Sequence, residues 1–401
     1  MNYISLFSGI GGLESRTVHP ELICEIDEAA REVLRRRFPH VPIHPDVNTL
    51  EPPAAEVVAG GWPCQDISVA GLRRGLRGER SGLFFAMLRV AEAANAHTIV
   101  AENVPNLLSL ERGKAFDMVL EALSAAGYAH IAWRTINARE FGLPHERRRV
   151  FIVASRYREI AMALHRPYPQ LDESALRGEP GYAGFYWTGG LQSICYSEGY
   201  VPTLKVGSSL SIPSPPALHF DGVVRKASTR EVLQLQGFDP TEFEGIAEKH
   251  VYRMAGNAVA APVGRWVFDS LDAPDPGRVA FAGIMITGEH GFFDRGVKVA
   301  VEHPDYPLAT NLSDIVDVSN REPLSERAAA GLMRRLLRSG KPCPPKLMEL
   351  LLKYAGNSLD SDERTMATLV TGPRRETTVC TSRGPKGAKC HSDEEYFELF
   401  G

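Results

Sequence analysis

The chain has no apolar run long enough to cross a bilayer, so no part of it is expected inside a membrane. No basic leader precedes an apolar segment, because Met1 to Phe7 enters a strand-like run at once, and a secreted product is not expected either. Six cysteines, scattered at 24, 64, 195, 343, 380 and 390, do not form a disulfide framework and read as reduced thiols. Cys380, Cys390 and His391 lack the spacing of paired zinc knuckles, so no metal is expected. A net charge of -4 offers no global attraction for nucleic acid, and any such binding must come from local basic clusters. A soluble, cytoplasmic protein without internal repeats is the expectation.

What is present is a chain of 401 residues, 44% of them hydrophobic, enough for one large core and a further domain or extension. Short apolar strands alternate with helical periodicity through the first half, at Tyr3–Phe7, Leu22–Glu25, Val57–Gly60, Thr98–Ala101, Ala132–Asn137 and Arg149–Ala154. Helices are expected at Glu28–Phe38, Leu83–Ala94 and Lys114–Ala126, which gives a doubly wound α/β domain over 1–155 with a mostly parallel sheet. Residues 156–224 turn Gly-, Pro- and aromatic-rich, a small and partly β insert. Helical signals at Ser228 and over Val259–Leu271 return the chain to the α/β domain across 225–272. After the Pro- and Gly-containing stretch 272–277, residues 278–401 form an α+β extension, with strands at Phe281–Thr287 and Val297–Val301 and helices at Ser325–Ser339 and Pro345–Tyr354.

Several short motifs carry chemistry. Phe7-Ser8-Gly9-Ile10-Gly11-Gly12 is a Gly-rich turn between a strand and a helix, where backbone amides approach an anion such as a methionine carboxylate, or merely turn tightly. Glu25 and Asp46 follow later strands, where a nucleotide fold sets carboxylates against ribose and adenine; ordinary strand-end carboxylates are the alternative. Gly60-Gly61-Trp62-Pro63-Cys64-Gln65 puts a thiol in a proline-fixed turn at the carboxyl edge of the sheet, although a free cysteine is more often a small buried hydrophobe. Glu102, in Ala101-Glu102-Asn103-Val104-Pro105, ends another strand at that edge, as a reacting acid or as a structural group. Arg147, Arg148 and Arg149 lead into an apolar strand with 147 and 149 on one side. Arg73, Arg74, Arg77 and Arg80 form a second basic cluster, Arg334, Arg335, Arg338 and Lys341 a third; phosphate contacts compete there with plain solvated faces.

In this order and spacing the motifs resemble the DNA (cytosine-5) methyltransferases over residues 2 to 270. The resemblance rests on Phe7-Ser8-Gly9-Ile10-Gly11, Pro63-Cys64-Gln65, Glu102-Asn103-Val104, Arg147-Arg148-Arg149, Arg230-Glu231 with Gln236-Gly237-Phe238, and Gly256-Asn257-Ala258-Val259. Arg80-Ser81-Gly82-Leu83 looks like the family's catalytic-loop exit. His145 stands where the family commonly has glutamine, the insert is short for a target recognition domain, and the last 125 or so residues lie outside the resemblance.

The resemblance implies S-adenosylmethionine as cofactor, held by Phe7, Gly9, Gly11, Gly12, Leu13, Glu25, Asp46, Pro63, Asn257 and Ala258. It implies Cys64 as the nucleophile toward carbon 6 of a flipped cytosine, Glu102 at N3 and the exocyclic amine, and Arg149 with Arg147 at O2. Gln65, Ser68, Arg80, Asn103 and Thr203 would contact double-stranded DNA, with residues 65–80 as a lid and 156–224 reading sequence. A bacterial or phage enzyme is expected, a monomer paired in function with a restriction endonuclease. A tRNA cytosine methyltransferase is the rival enzyme, and a catalytically dead DNA-binding protein the non-enzymatic one.

Overall fold

The computed structural model describes residues 1–14, 19–63, 82–166, 181–186, 195–205, 215–272, 281–284, 290–294, 297–301, 311–339 and 343–370. Its centre is a ten-stranded sheet in the order β14-β16-β15-β6-β8-β5-β4-β1-β2-β3. The strands of its catalytic half are β1 (Tyr3–Leu6), β2 (Leu22–Cys24), β3 (Ile43–His44), β4 (Val57–Gly61), β5 (Thr98–Asn103), β6 (His130–Asn137) and β8 (Arg148–Ser155). β1 to β5 pair in parallel, whereas β8 lies antiparallel between β5 and β6. The reversal follows from chain length: residues 138–147, which contain only a short strand β7 (His145–Glu146), are too few for the crossover that a parallel neighbour requires.

Helices cover both faces. α1 (Glu28–Arg37) begins where the Asp27 side chain accepts from the Ala30 amide and ends on Arg35, Arg36 and Arg37, charges that suit the two ends of the helix dipole. α2 (Leu83–Ala93) and α3 (Lys114–Ala125) bury Phe84, Met87, Val90, Phe116, Val119 and Leu123 against Ile4, Leu6, Val58 and Ile99 on one face. On the other face, α4 (Arg158–Met162) and α7 (Ala261–Asp272) bring Met162, Val263, Val267 and Phe268 onto Tyr3, Val57, Val100 and Val153. The period-2 alternation of the strands between these two cores makes the sheet doubly wound.

A second sheet, β10-β9-β12-β13, is assembled from β9 (Tyr182–Phe185), β10 (Ser197–Glu198), β12 (Ala217–Phe220) and β13 (Val223–Lys226). Strand β11 (Val201–Pro202) pairs in parallel with β7 and ties this unit to the large sheet. α5 (Thr229–Gln234) starts on a full capping box, Ser228 with Glu231, at the predicted cap. α6 (Glu248–Asn257), which the sequence reading did not single out, precedes α7.

The chain beyond 278 joins both sheets. β14 (Phe281–Ile284), β15 (His290–Asp294) and β16 (Val297–Val301) extend the large sheet through antiparallel pairing of β15 with β6. α8 (Glu326–Ser339), α9 (Pro345–Ala355) and α10 (Ser361–Val370) pack instead on the small sheet, sharing one core with its Phe185, Ala217 and Val224. No described helix is long and apolar enough to cross a membrane.

Candidate functional site

Strand order reverses between β1 and β4: β1 leads on to β2 on one side but is hydrogen-bonded to β4 on the other. Crevices outside the carboxyl ends of such neighbours are where open α/β sheets bind ligands. The two expected turns, Phe7–Gly12 and Trp62–Pro63, leave these two strands side by side.

On the β1 side the site is built from main chain. Phe7 and Gly9 adopt φ of +54° and +56°, and a Cβ added at Gly9 would meet nothing within 4 Å, so the turn borders open space. The Gly9 amide donates to Oε2 of Glu25 at 2.7 Å and the Asp27 amide to its Oε1 at 2.8 Å, which fixes the carboxylate at the end of β2. Asp46, just past β3, accepts from the Asn48 backbone and side-chain amides at 2.9 and 3.0 Å. Gly12 answers to packing: a Cβ there would lie 2.0 Å from the Val259 carbonyl oxygen, so the turn rests on the segment after α6. Asn257 is exposed at the end of that helix, Ala258 is buried beside it, and Leu13 is buried in the core with Val259 and Trp266.

A buried network beneath the turn escaped the sequence reading. The Ser5 hydroxyl donates to Oε1 of Glu14 at 2.5 Å and lies 2.8 Å from the Ser8 hydroxyl, while burial raises the Glu14 carboxyl above its usual range. The only hint in sequence is an acid directly after an otherwise apolar Gly-Gly-Leu.

On the β4 side the site is built from charge. Gly61 pairs with Glu102 across β4 and β5, and a Cβ at Gly61 would stand 2.6 Å from Oε2 of Glu102, so glycine leaves room for that carboxyl. Glu102 is 9% exposed and is held by Arg149, whose Nε lies 3.0 Å from Oε1. Burial raises the Glu102 carboxyl, against the opposing pull of Arg149 and then Arg147. Asn103 spends its amide on the Trp62 carbonyl at 3.0 Å, and the Trp62 ring packs on Phe84. The chain leaving β4 is thus pinned through Trp62, and Pro63 is exposed. Cys64, Gln65, Ser68 and Arg80 lie outside the described residues.

Arg147 is fully buried and donates to the Gly256 and Ala258 carbonyls at 3.1 and 2.5 Å, joining the catalytic strand to the segment under Gly12. Three consecutive residues of the insert hang from the same strand: the Thr203 hydroxyl donates to the Glu146 carbonyl at 2.5 Å, the Leu204 amide to Nε2 of His145 at 3.0 Å, and the Lys205 amide to the Tyr186 hydroxyl at 2.9 Å. Burial, then Arg147 and Arg149, hold the His145 imidazole well below its ordinary pKa, so the ring is neutral and its Nε2 accepts.

A family model for C-5 cytosine-specific DNA methylases matches residues 1–178. The type II methyltransferase M2.BsuMI of Bacillus subtilis is 36% identical over 368 residues, covering 84% of this chain and 94% of that relative. The chain belongs to the C-5 cytosine-specific DNA methylases. A second relative of this methylase, type II methyltransferase M.Bsp6I of a Bacillus species, is 30% identical over 307 residues, 67% of this chain and 97% of its own length. Among solved structures, the S. pombe Dnmt2 methyltransferase covers 68% of the methylase and 98% of its own chain, at 16% identity and a TM-score of 0.47. The methylase is a DNA (cytosine-5) methyltransferase with a Rossmann-like sheet.

Proposed function

We propose that the methylase transfers the methyl group of S-adenosylmethionine to carbon 5 of a cytosine flipped out of a specific duplex site, through a covalent bond from Cys64 to carbon 6. The observation that carries this reading is the buried Glu102–Arg149 pair beside Gly61, at the strand edge from which the chain leads through Trp62 and Pro63 to Cys64. Carbon 5 of cytosine is too electron-poor to take a methyl directly, so a nucleophile must add at carbon 6 first. Charge then gathers at N3. A carboxyl group raised by burial suits that position, because it offers a proton or a strong hydrogen bond where charge develops. Arg149 orients the carboxyl and approaches the base with it.

The β1 side fits the cofactor. A turn facing open space, the Glu25 carboxylate locked by two amides, and Asp46 one strand further suit a methionine carboxylate, a ribose diol and an adenine in that order. Phe7, Gly9, Gly11, Glu25, Asp46, Pro63, Asn257 and Ala258 would hold it, with Gly12 and Leu13 supporting the turn. When bound, the cofactor supplies an electrophilic methyl group. Residues 65–80, with Gln65, Ser68 and Arg80, close over the flipped base, and Thr203 places the insert against the duplex. Loss of the carbon 5 proton and expulsion of the thiolate free the product and need no metal.

The relatives named as type II methyltransferases support a place in a restriction-modification system, as a monomer serving beside a cognate endonuclease in a bacterial cytoplasm. The test is transfer of labelled methyl to duplex DNA, with tRNA as the competing acceptor. We expect counts in DNA, their loss in Cys64→Ala with cofactor binding retained, and a covalent adduct at Cys64 with 5-fluorocytosine DNA. Counts confined to tRNA, or full activity in Cys64→Ala, would end the reading.

A further inference from the structure

The small sheet has no free face. Leu218, Phe220 and Val223 point into a core shared with α1, α5 and α6, whereas Ala217 and Val224 point into the core under α8 and α9. The two units are also stitched polar to polar: the Leu324 amide donates to the Val224 carbonyl at 2.9 Å, the Tyr354 hydroxyl to the Gly222 carbonyl at 3.0 Å, and Asp317 and Asn320 offer carbonyls to the buried Arg225. Arg225 and Glu231 close this joint as a buried ion pair. A sheet covered on both faces meets DNA only through its edges and loops or through the outer surface of the helices that cover it.

That outer surface is not a uniform solvated face. At 100° per residue, Ala329, Ala330, Leu332, Met333 and Leu336 of α8 occupy the core side, and Arg327, Gly331, Arg334, Arg335 and Arg338 the opposite one. Arg334 is bound to Glu363 of α10 and to the Ser358 carbonyl, and Arg338 lies within the electrostatic reach of Glu363. Arg327 and Arg335 are exposed and make no hydrogen bond or ion pair among the described residues. Gly331 sits among these arginines, and a Cβ added there would meet nothing within 4 Å. Packing therefore does not require a glycine, which in mid-helix costs about 1 kcal/mol relative to alanine. A bare backbone between arginines is what close approach by an extended polyanion uses.

We propose that residues 311–370 are the second half of the DNA-recognition unit, and that the Arg327–Gly331–Arg335–Arg338 face of α8 seats the phosphate backbone of the duplex beside the methylated site. The proposal rests on the reading of the methylase as acting on duplex DNA. It explains why the insert between the catalytic motifs is short: the sequence-distant helices complete it.

The test uses the full chain, binding to a duplex by anisotropy over a range of salt, and labelled methyl transfer. For Arg327→Gln/Arg335→Gln/Arg338→Gln we expect an affinity at least about tenfold weaker on every duplex and a log–log salt slope shallower by about 2 to 3, the number of phosphates released. Gly331→Gln separates binding from folding: the melting temperature should rise, because helix propensity improves, while DNA affinity falls about fivefold or more through blocked approach. A solvated face predicts the same rise in melting temperature with wild-type affinity and slope, and that result would overturn the proposal. Should the triple variant unfold, Gly331→Gln carries the decision alone. An unaltered chain that neither binds nor methylates duplex DNA overturns the underlying reading as well. One that does both, unchanged by all four substitutions, overturns this inference only.

Discussion

Two halves of one sheet edge are built on opposite principles. Beside β1 and β2, backbone amides do the holding: Glu25 takes the Gly9 and Asp27 amides, and the turn rests on Val259 without a charged contact. Beside β4 and β5, charged side chains do it: Glu102 is buried with Arg149 as its ion partner, and Arg147 is buried behind them. Amides fix a ligand site in place before anything binds. A desolvated ion pair has one strong contact to exchange, so it can be drawn from its partner to a substrate. The difference assigns pre-organised binding to one half and reactivity to the other.

The sharpest way to break that division is Glu102→Gln, which keeps the shape and a hydrogen bond but removes the titrating proton. Turnover should fall about 10²- to 10³-fold, with cofactor affinity unchanged. The pH behaviour gives the sign. Glu102 is an acid whose pKa in the fold stands above its unfolded value, so the protonated form that serves N3 is lost as pH rises through the folded value. Its stabilising contribution follows the same direction, present in acid and lost as pH rises. Rate profiles of the two proteins should therefore differ by an alkaline limb that only the wild type shows; identical profiles would remove Glu102 from proton handling.

Glu25→Ala probes the other half and should have a smaller, cleaner effect. With the Gly9 and Asp27 amides unmet, S-adenosylmethionine affinity should drop about 10- to 100-fold, while duplex affinity without cofactor stays as in the wild type. Calorimetric titration with the cofactor decides this. An equal loss of DNA binding would show that the two halves are not separable.

The same division explains what could be read from sequence. Strands β1, β2, β4 and β5, the cap at Asp27, the capping box at Ser228 and the chemistry at Glu102 are written locally, in alternation, cap residues and glycines at strand ends. The reversed β8, the addition of β15 to the large sheet, and the seating of α8 and α9 on Phe185, Ala217 and Val224 depend on partners far away in the chain, which periodicity does not name. The α6 helix was missed because Lys249, His250, Tyr252 and Arg253 interrupt a narrow apolar stripe of Val251, Met254 and Ala255. Asn103, read as a substrate contact, holds the Trp62 carbonyl in this structure, and only coordinates reveal where such an amide is spent.

His145 offers the smallest and most specific test, because it stands in the charged half yet works as a backbone acceptor. Its Nε2 receives the Leu204 amide, the task a glutamine oxygen performs equally well, and its neighbours Arg147 and Arg149 penalise a positive charge. The imidazole is thus neutral in the fold, while in the unfolded chain it takes a proton near its ordinary pKa of about 6.5. The stability this contributes is present above that value and drains away as pH falls below it, at up to about 1.4 kcal/mol per pH unit for one proton. His145→Gln removes the proton-binding group and keeps the acceptor. Denaturant melts at pH 7.5 should be within about 1 kcal/mol of the wild type, and between pH 6.5 and 5 the variant should lose less stability than the wild type does. Parallel pH dependences would mean that His145 carries its charge in the fold, and the Thr203–Lys205 segment would then need another anchor.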